Sequence, residues 1–286
     1  MTNKIIIALF IVLALPLRVA GQGTYERDSM RVEQLLSRGD TTTLYYARQL
    51  LGLPYVGQTL EVNDREQLVV NMRQMDCTTL VETVCALTIS ACEGKRDYQS
   101  FCKNLQRLRY RQGKLNGYAS RLHYFSDWID DKEKMGLVKD VATEKAPFTA
   151  VQTLDINYMS KHPQAYKALR QNPGLVKQIA EQEKKLTGRK FRYIPKSVSQ
   201  QGGKVVPPFD DKLLRQVIRD GDILAITCSK DGLDIAHLGF AAWHDDGLHL
   251  LNASQLHKKV VEEPMTLWEY MSKHPSFTGI RVIRLR

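Results

Sequence analysis

Beyond residue 21, this 286-residue chain lacks a second apolar run of membrane-spanning length, an internal repeat and any low-complexity tract. Its five cysteines include no Cys-x-x-Cys pair, so a zinc ribbon or a thioredoxin-type site has no support. The odd cysteine count leaves at least one thiol free or bonded elsewhere. An apolar content of 43% supports a sizeable core, and the length fits one large domain.

The first 21 residues have the pattern of a signal peptide. Lys4 precedes an apolar segment over residues 5–17, and small residues follow at Val19, Ala20 and Gly21. The apolar segment is too short for a membrane span, which needs roughly 20 residues. No cysteine follows it to carry a lipid anchor. We therefore expect an exported, periplasmic protein without stable membrane insertion, whose mature chain, residues 22–286, forms a single catalytic domain.

The chain is basic, with a formal net charge of +10 that falls to +8 without Lys4 and Arg18. A basic balance can indicate nucleic-acid binding. The basic residues are scattered among acidic ones, however, and an exported protein rarely meets nucleic acid. A solvated basic surface, or attraction to an anionic partner such as a cell wall, is the better interpretation, and we expect no nucleic-acid partner.

Helical patterns precede strand patterns along the chain, which predicts the α+β class. Residues 113–210 are expected to be irregular apart from one helix and one strand. Helices are predicted over residues 27–38, 42–52, 77–92, 98–111, 173–186 and 265–273. Strands are predicted over residues 191–194, 222–227, 236–243, 248–253, 259–262 and 280–285.

Cys77 stands at the predicted start of the helix over 77–92, directly after Asp76, a natural N-cap. A helix N-terminus stabilises a thiolate and lowers its pKa. The free N–H groups near Cys77 and Thr78 can also receive an oxyanion. A single cysteine is more often a core residue, and Cys85, Cys92 and Cys102 fit that description. The position at the cap favours Cys77 as a nucleophile.

His237 and Asn252 lie on two strands that the sequence joins through a tight turn. If the hairpin loop has an even number of residues, positions of opposite parity project from the same face of the sheet. Asn252 can then orient the imidazole, which makes a Cys-His-Asn set with Cys77. A lone strand histidine is usually structural, but the joint arrangement is much rarer by chance. His244, His249 and His257 are less well placed.

These residues fall in motifs that resemble the NlpC-like cysteine amidases of peptidoglycan, which have compact papain-like folds. Thr78 stands where that family usually has Ser, and Asn252 stands where it often has His. Tyr55 matches a tyrosine that lines the nucleophile pocket in the family. The motifs are Gly52-x-Pro54-Tyr55, Asp76-Cys77-Thr78-x-Leu80-Val81, Gly221-Asp222-Ile223-Leu224, His237-Leu238-Gly239-Phe240 and Leu251-Asn252-Ala253-Ser254.

The resemblance covers residues 52–92 and 220–262, and His237 follows Cys77 by 160 positions. It implies a papain-like NlpC-type core with a large inserted region, at about 95–210, that recognises substrate. Residues 120–128 and 193–196 are similar to the branch of N-acetylmuramoyl-L-alanine amidases. That branch implies cleavage between N-acetylmuramic acid, in its anhydro form in muropeptides, and L-Ala of the stem peptide. It also implies no cofactor and no metal, and we expect a monomer.

The inserted region contains aromatic and hydrogen-bonding side chains that suit a sugar ring. The candidates are Arg121, His123, Tyr124 and Trp128. Taken one at a time, each fits slightly better a loop that packs its own aromatic residues on the core. As a cluster they predict a sugar-binding surface.

Two other functions stay open. A γ-D-Glu–diaminopimelate endopeptidase of the same superfamily would use the same three residues, so the motifs do not separate it from the amidase. A catalytically inactive cell-wall-binding module belongs to a different class, and the complete Cys-His-Asn set argues against it. In all three cases the partner is peptidoglycan or its fragments.

Overall fold

The computed structural model describes residues 20–197 and 210–286. Most of the predicted signal peptide and the connection over residues 205–209 lie outside this part of the chain. The helices are α1 Ala20–Leu36, α2 Thr43–Arg48, α3 Cys77–Cys92, α4 Tyr98–Arg109, α5 Phe125–Lys134, α6 Tyr158–Lys161, α7 Lys167–Gln171, α8 Pro173–Leu186, α9 Asp211–Leu214 and α10 Leu267–Ser272. The strands are β1 Val138–Asp140, β2 Ala150–Thr153, β3 Lys190–Pro195, β4 Ile223–Cys228, β5 Ile235–His244, β6 Gly247–Ser254, β7 Lys259–Glu262 and β8 Phe277–Leu285.

The strands form one eight-stranded sheet in the order β2-β3-β8-β4-β5-β6-β7, and β1 also pairs with β8. Every pairing in this sheet is antiparallel. The β5–β6 hairpin closes at His244 and Gly247, so its loop has the even length that the parity argument requires. The protein is thus α+β, as the sequence predicts.

Helix α3 lies at the centre of the larger core. Thirteen of its residues are buried, so it is enclosed on every side rather than amphipathic. It packs on α2 and α4 and against β5 and β6 of the sheet. Its one buried acidic residue, Glu82, accepts a 2.7 Å hydrogen bond from Arg109 of α4. The helix therefore holds its N-terminal residue, Cys77, rigidly against the sheet.

The expectation that residues 113–210 are mostly irregular is wrong for the described part. This region contains α5 to α8, and its three strands β1 to β3 belong to the same sheet as β4 to β8. The sequence hides this because β1 and β3 both pair with β8, which is more than eighty residues away. The sequence predicts only α8 and β3 there, and α8 has the predicted bounds.

Helices α6 to α8 bury a small core of their own. Tyr124, Met159 and Ile179 are among its members and are all nearly inaccessible. A third cluster fills the opposite face of the sheet beneath α9 and α10. None of the helices within the described residues combines the length and apolar character that a bilayer span requires. The placement of residues 95–210 as one inserted region stays a prediction.

Candidate active site

A capping box holds the start of α3. The Asp76 carboxylate accepts a 2.8 Å hydrogen bond from the Thr79 N–H, and the Asp76 N–H donates to the Thr79 hydroxyl at 2.9 Å. Cys77 is the first helical residue and is partly exposed. The Asp76 side chain is thus a structural cap, because its carboxylate is engaged by the helix itself.

Cys77 and His237 line the same cavity, which has a volume of about 210 Å³. Thr78, His123, Tyr124 and Trp128 also line this cavity, together with residues 233–238 at the start of β5. Larger cavities of about 590 and 740 Å³ lie elsewhere on the surface, but neither contains Cys77 or His237. The smaller cavity is therefore where a thiol and an imidazole can act on one ligand.

His237 lies where β5 departs from regular pairing. The register between β4 and β5 shifts beside it, since Ile226 pairs with His237 whereas Thr227 pairs with Ile235. Bulges of this kind re-aim side chains and are frequent next to active sites. The Nε2 of His237 lies 3.0 Å from the Oδ1 of Asn252, which is completely buried on β6. The predicted common face for these two residues is confirmed.

Burial governs the titration of the thiol. Burial, with a smaller contribution from the Asp76 carboxylate, raises the pKa of Cys77 to about 12. Hydrogen bonding from the backbone of Leu238, from the Thr78 side chain and from the Cys77 backbone lowers the pKa, but by less. This direction is opposite to the sequence-based expectation of a lowered thiol pKa, because desolvation outweighs the hydrogen bonds that lower it.

The pKa of the His237 imidazole shifts in the direction opposite to that of the Cys77 thiol. Burial lowers the pKa of His237 below its ordinary value, although the hydrogen bond to Asn252 and the Glu263 carboxylate act to raise it. A thiol with a raised pKa beside an imidazole with a lowered pKa is a neutral pair. The arrangement thus favours general-base catalysis, in which the proton moves as the sulfur attacks, over a preformed thiolate–imidazolium pair.

Tyr55 lies beside Cys77. Burial raises the pKa of its hydroxyl, and the neighbouring Cys77 and Asp76 raise it further. Its strand-like segment is held in place by hydrogen bonds from the Tyr55 N–H to the Lys258 carbonyl and from the Val56 N–H to the Met75 carbonyl. A neutral tyrosine hydroxyl at this position can donate to an oxyanion.

Three of the four sugar-binding candidates line the cavity of Cys77. The Nε2 of His123 lies 3.1 Å from the Tyr118 carbonyl, and burial lowers the pKa of His123 to about 3, so its ring is neutral. The Tyr124 hydroxyl donates to Glu183 at 2.6 Å and accepts from the Met159 N–H at 2.9 Å. Only the ring of Tyr124 therefore remains for contact with a ligand.

The polar group of Trp128, unlike the hydroxyl of Tyr124, has no hydrogen-bond partner within the described residues. This group is the indole Nε1–H, and the residue is 1% exposed. Its ring stacks on Phe125 with centroids 4.7 Å apart. Buried donors are nearly always paired in native proteins, so an unpaired one at a cavity indicates a place where a ligand oxygen can bind.

Arg121, the fourth candidate, points elsewhere. Its guanidinium forms ion pairs with Glu61 at 2.9 Å and with Glu66 at 3.0 Å, and it lies over the Tyr118 ring. It lines the separate 590 Å³ cavity and not that of Cys77. A sugar contact by Arg121 thus stays a prediction that this geometry does not favour.

Sequence reasoning missed several residues around the site. Asp234 lines the cavity and accepts a 2.7 Å hydrogen bond from the Ser126 N–H. The ring of Tyr270, on α10, lies with its centroid 6.4 Å from that of His237. Glu263 contacts the amide of Asn252 from behind. No local pattern marks these residues. Tyr270 and Glu263 reach the site through contacts between separate elements, and Asp234 is fixed by its contact with Ser126.

One cluster within the described residues could hold a metal ion. His244, Asp246 and His249 place one ligand atom each within 4.8 Å of one another at the turn of the β5–β6 hairpin. The Nε2 of His244 contacts Glu262 at 2.5 Å, and that of His249 contacts Asp246 at 3.0 Å. The cluster is outside the cavity of Cys77, and no residue of it lines that cavity.

Comparison with known proteins identifies the family. Residues 45–280 match the model of the AmiA-like family, described as N-acetylmuramoyl-L-alanine amidase-like. A match over this much of the chain means that the protein belongs to that family. No curated protein matches the chain.

Solved structures agree with this assignment. An N-acetylmuramoyl-L-alanine amidase from Bacteroides uniformis is 39% identical, with a TM-score of 0.75, and the match covers 86% of this chain and 100% of that one. A Bacteroides fragilis protein, provisionally described as a xylanase, is 40% identical with a TM-score of 0.75, over 84% of this chain and 100% of that one. A Legionella pneumophila protein at 24% identity shares the fold, with a TM-score of 0.67 over 92% and 96% of the chains.

Proposed function

We propose that this protein is an exported cysteine hydrolase that cleaves the amide between N-acetylmuramic acid and L-Ala in peptidoglycan fragments. Membership of the amidase-like family supports the reaction class and the peptidoglycan substrate. The observation that carries the cysteine mechanism is that Cys77 and His237 line one cavity while the buried Asn252 contacts Nε2 of His237. In this proposal α3 and the sheet form a papain-like core of the NlpC type.

The reaction is an acyl transfer through a thioester. Cys77 Sγ attacks the lactyl carbonyl carbon while its proton passes to Nδ1 of His237. N–H groups at the start of α3, with the hydroxyls of Thr78 and Tyr55, hold the oxyanion. The C–N bond then breaks, and His237 returns the proton to the departing L-Ala amine. Water, deprotonated by His237, hydrolyses the thioester and frees the lactyl carboxylate and the thiol.

The cavity walls support a sugar subsite next to the sulfur. The lactyl amide adjoins the muramyl ring, so an amidase needs room for sugar close to its nucleophile. His123, Tyr124 and Trp128 line the cavity that contains Cys77. Aromatic faces, together with the unpaired Trp128 indole N–H, suit a sugar ring. The anhydro form of the sugar, which is more compact and lacks a free reducing end, is the form that we propose for the 210 Å³ cavity.

Two further activities are less well supported. A glycoside hydrolase such as a xylanase requires two carboxyl groups about 5–9.5 Å apart across the scissile bond. Asp234 is the only carboxylate that lines the cavity within the described residues, and its side chain is bound to the Ser126 N–H. An endopeptidase that cuts after D-Glu would place peptide, not sugar, against the aromatic wall.

The proposal extends to location and assembly. Residues 1–21 are removed on export, and the mature chain works as a monomer in the periplasm on soluble muropeptides. Helix α1 begins at Ala20, so cleavage after residue 21 shortens α1 by two residues without touching its buried positions Val32, Leu35 and Leu36. Mass spectrometry of the protein purified from a periplasmic extract tests both the cleavage position and the compartment.

A panel of three substrates tests the proposed reaction. The substrates are disaccharide-peptide with an anhydro end, the same compound with an ordinary reducing end, and the free stem peptide. We expect the first to be cleaved fastest, with a peptide-free disaccharide and an intact stem peptide as products by mass spectrometry. Release of a disaccharide that retains L-Ala and D-Glu, or efficient cleavage of the free peptide, would identify the endopeptidase instead. No cleavage of any substrate would support a binding module.

A further inference from the structure

Glu263 is a carboxylate enclosed behind the candidate site. It follows β7, the residue is 1% exposed, and its side chain is completely buried. Its backbone is attached to β6 at two points, since its N–H donates to the Leu250 carbonyl at 2.9 Å and its carbonyl lies 2.8 Å from His249 Nδ1. A buried carboxylate is costly unless both of its oxygens are hydrogen-bonded. We therefore ask which groups hydrogen-bond to the two carboxylate oxygens of Glu263.

Both oxygens of Glu263 have polar partners. Oε1 accepts a 2.9 Å hydrogen bond from Asn252 Nδ2, and Oε2 lies 3.0 Å from His257 Nε2. Because a carboxylate only accepts, His257 donates from Nε2. His257 is 31% exposed on its side chain, so the chain of contacts runs from the cavity through buried groups to the surface.

The contact with Glu263 determines which way the Asn252 amide points. An asparagine amide can be turned by 180° with little change in shape, and its neighbours decide which atom faces which. Here the NH₂ group faces two acceptors, Glu263 Oε1 and, at 3.4 Å, the Leu250 carbonyl. Turning the amide would set its oxygen against both of them. Oδ1 is thereby committed to the other side, where His237 lies.

The orientation of Asn252 in turn determines the tautomer of His237. Oδ1 can only accept, so the Nε2 of His237, 3.0 Å away, must donate its hydrogen. In a neutral imidazole the other nitrogen, Nδ1, then carries the lone pair. That is the nitrogen a general base must present to a thiol. Both steps rest on an oxygen that can only accept a hydrogen bond: Oε1 of Glu263 for the Asn252 amide, and Oδ1 of Asn252 for His237 Nε2.

We infer that Glu263 is a positioning residue, which acts through Asn252 to keep His237 in the tautomer with Nδ1 free. His257 supplies the hydrogen bond that holds the second carboxylate oxygen. The part of this inference that concerns turnover rests on the proposed cysteine mechanism. The part that concerns the tautomer does not, because it is a property of the protein without substrate.

The tautomer is measured directly by ¹⁵N NMR of protein labelled in histidine. The signals of His237 are assigned by their loss in His237→Gln. In the unsubstituted protein we expect Nε2 protonated and Nδ1 unprotonated at neutral pH. The opposite tautomer in the unsubstituted protein would overturn the inference without any variant of Glu263.

Variants then test the cause. Glu263→Met keeps the volume but removes the acceptor, so His237 should show a mixture of tautomers. Glu263→Gln retains an acceptor oxygen for Asn252, and its NH₂ can donate to a neutral His257, so the tautomer should be retained. The matched control is Glu262→Gln, which removes the neighbouring carboxylate that pairs with Arg48 and His244. It should leave the His237 signals unchanged. An unaltered tautomer in folded Glu263→Met would contradict the inference.

Kinetics separate positioning from simple structural support. Glu263→Met should lower kcat on the order of 10- to 100-fold with little change in KM, as is usual when a supporting contact is lost. Glu263→Gln should restore most of the rate. If Glu263 acts only through Asn252, Glu263→Met combined with Asn252→Ala should be no slower than Asn252→Ala alone. Independent, multiplying losses would show that Glu263 acts by another route.

The two proposals fail in different ways. An unsubstituted protein without amidase activity, but with the expected tautomer and the expected response to Glu263→Met, would refute the proposed function and keep Glu263 as a positioning residue. If the protein hydrolyses muropeptides but Glu263→Met changes neither the His237 tautomer nor kcat, the proposed function stands and the role of Glu263 is refuted. Thermal melting of each variant establishes that the protein compared is folded.

Discussion

His237 and Asn252 are joined by a 3.0 Å contact between Nε2 and Oδ1, although they are on different strands and only Asn252 is completely buried. In the proposed mechanism Asn252 orients the base His237. An orienting residue can be replaced in part by water, so its loss is less severe than that of the base. Asn252→Ala should therefore lower kcat roughly 10- to 100-fold. His237→Ala should lower it much more. Steady-state kinetics on muropeptide measures both.

A matched control for Asn252→Ala is another buried asparagine. Asn104 is 1% exposed and donates to Ser90 and Glu93, far from the cavity residues. Asn104→Ala should reduce stability but leave kcat of the folded protein unchanged. If Asn104→Ala and Asn252→Ala lowered kcat equally, Asn252 would have only a structural role.

The neutral thiol–imidazole pair predicts a particular pH profile. His237 must be neutral to accept the proton, and burial holds its pKa below 6.5, so the acidic limb of kcat/KM should lie below pH 6.5. The thiol, with a pKa of about 12, stays protonated through neutral and mildly alkaline pH, so the rate should form a plateau there. A bell-shaped profile centred near pH 6 would contradict a neutral pair.

Alkylation tests the thiol itself. Only the thiolate reacts, and a raised pKa leaves less thiolate than in free cysteine at any pH below about 12. Iodoacetamide should therefore modify Cys77 more slowly than free cysteine at pH 8.5, with a rate that rises as the pH increases. A fast plateau at neutral pH that disappears in His237→Ala would show an ion pair instead.

The unpaired indole N–H of Trp128 predicts a specific loss of affinity for the transition state. Trp128→Phe keeps a ring for stacking on Phe125 but removes the donor. One neutral hydrogen bond is worth about 0.5–1.5 kcal/mol, so kcat/KM for disaccharide-peptide should fall about 2- to 13-fold. Trp243→Phe is the matched control, because the Trp243 indole donates to the Ile218 carbonyl away from the cavity. Equal kinetics for both variants would remove Trp128 from the substrate site.

Gly239 lets β5 and β6 approach closely two residues from His237. A Cβ at Gly239 would lie 2.6 Å from the Leu251 carbonyl oxygen and 2.7 Å from the Leu250 side chain. Gly239→Ala should therefore reduce the free energy of unfolding by about 1–3 kcal/mol and lower kcat as the strands separate. Gly57→Ala, where nothing lies within 4 Å of a Cβ, should change stability by less than about 0.5 kcal/mol. Urea unfolding compares them.

Local features of the site could be predicted from the sequence. The position of Cys77 depends on the N-cap and the first turn of α3, and both are formed by residues that are consecutive in the sequence. The common face of His237 and Asn252 follows from strand parity and an even hairpin loop. The strands β4 to β8 are short, largely apolar runs that end near turn residues, so the sequence predicts their bounds to within a few positions.

Features that depend on long-range contact could not be predicted. β1 and β3 become strands because β8 lies beside them, and β2 because it pairs with β3. The sign of the Cys77 pKa shift depends on how deeply the thiol is buried. Arg121 lies away from the cavity of Cys77 because its guanidinium forms ion pairs with Glu61 and Glu66, about sixty residues earlier. Glu263 contacts Asn252 only because β7 returns alongside β6.

Cys77 is the residue on which the whole account depends, and Cys85 on the same helix provides the control. Cys85 is completely buried in the core, two turns beyond Cys77. The direct measurement is mass spectrometry of the products formed from anhydro-disaccharide-peptide by the unsubstituted protein, Cys77→Ala and Cys85→Ala. We predict peptide-free disaccharide and intact stem peptide from the unsubstituted protein and from folded Cys85→Ala, and no products from Cys77→Ala. Hydrolysis by Cys77→Ala at the rate of the unsubstituted protein would contradict the account.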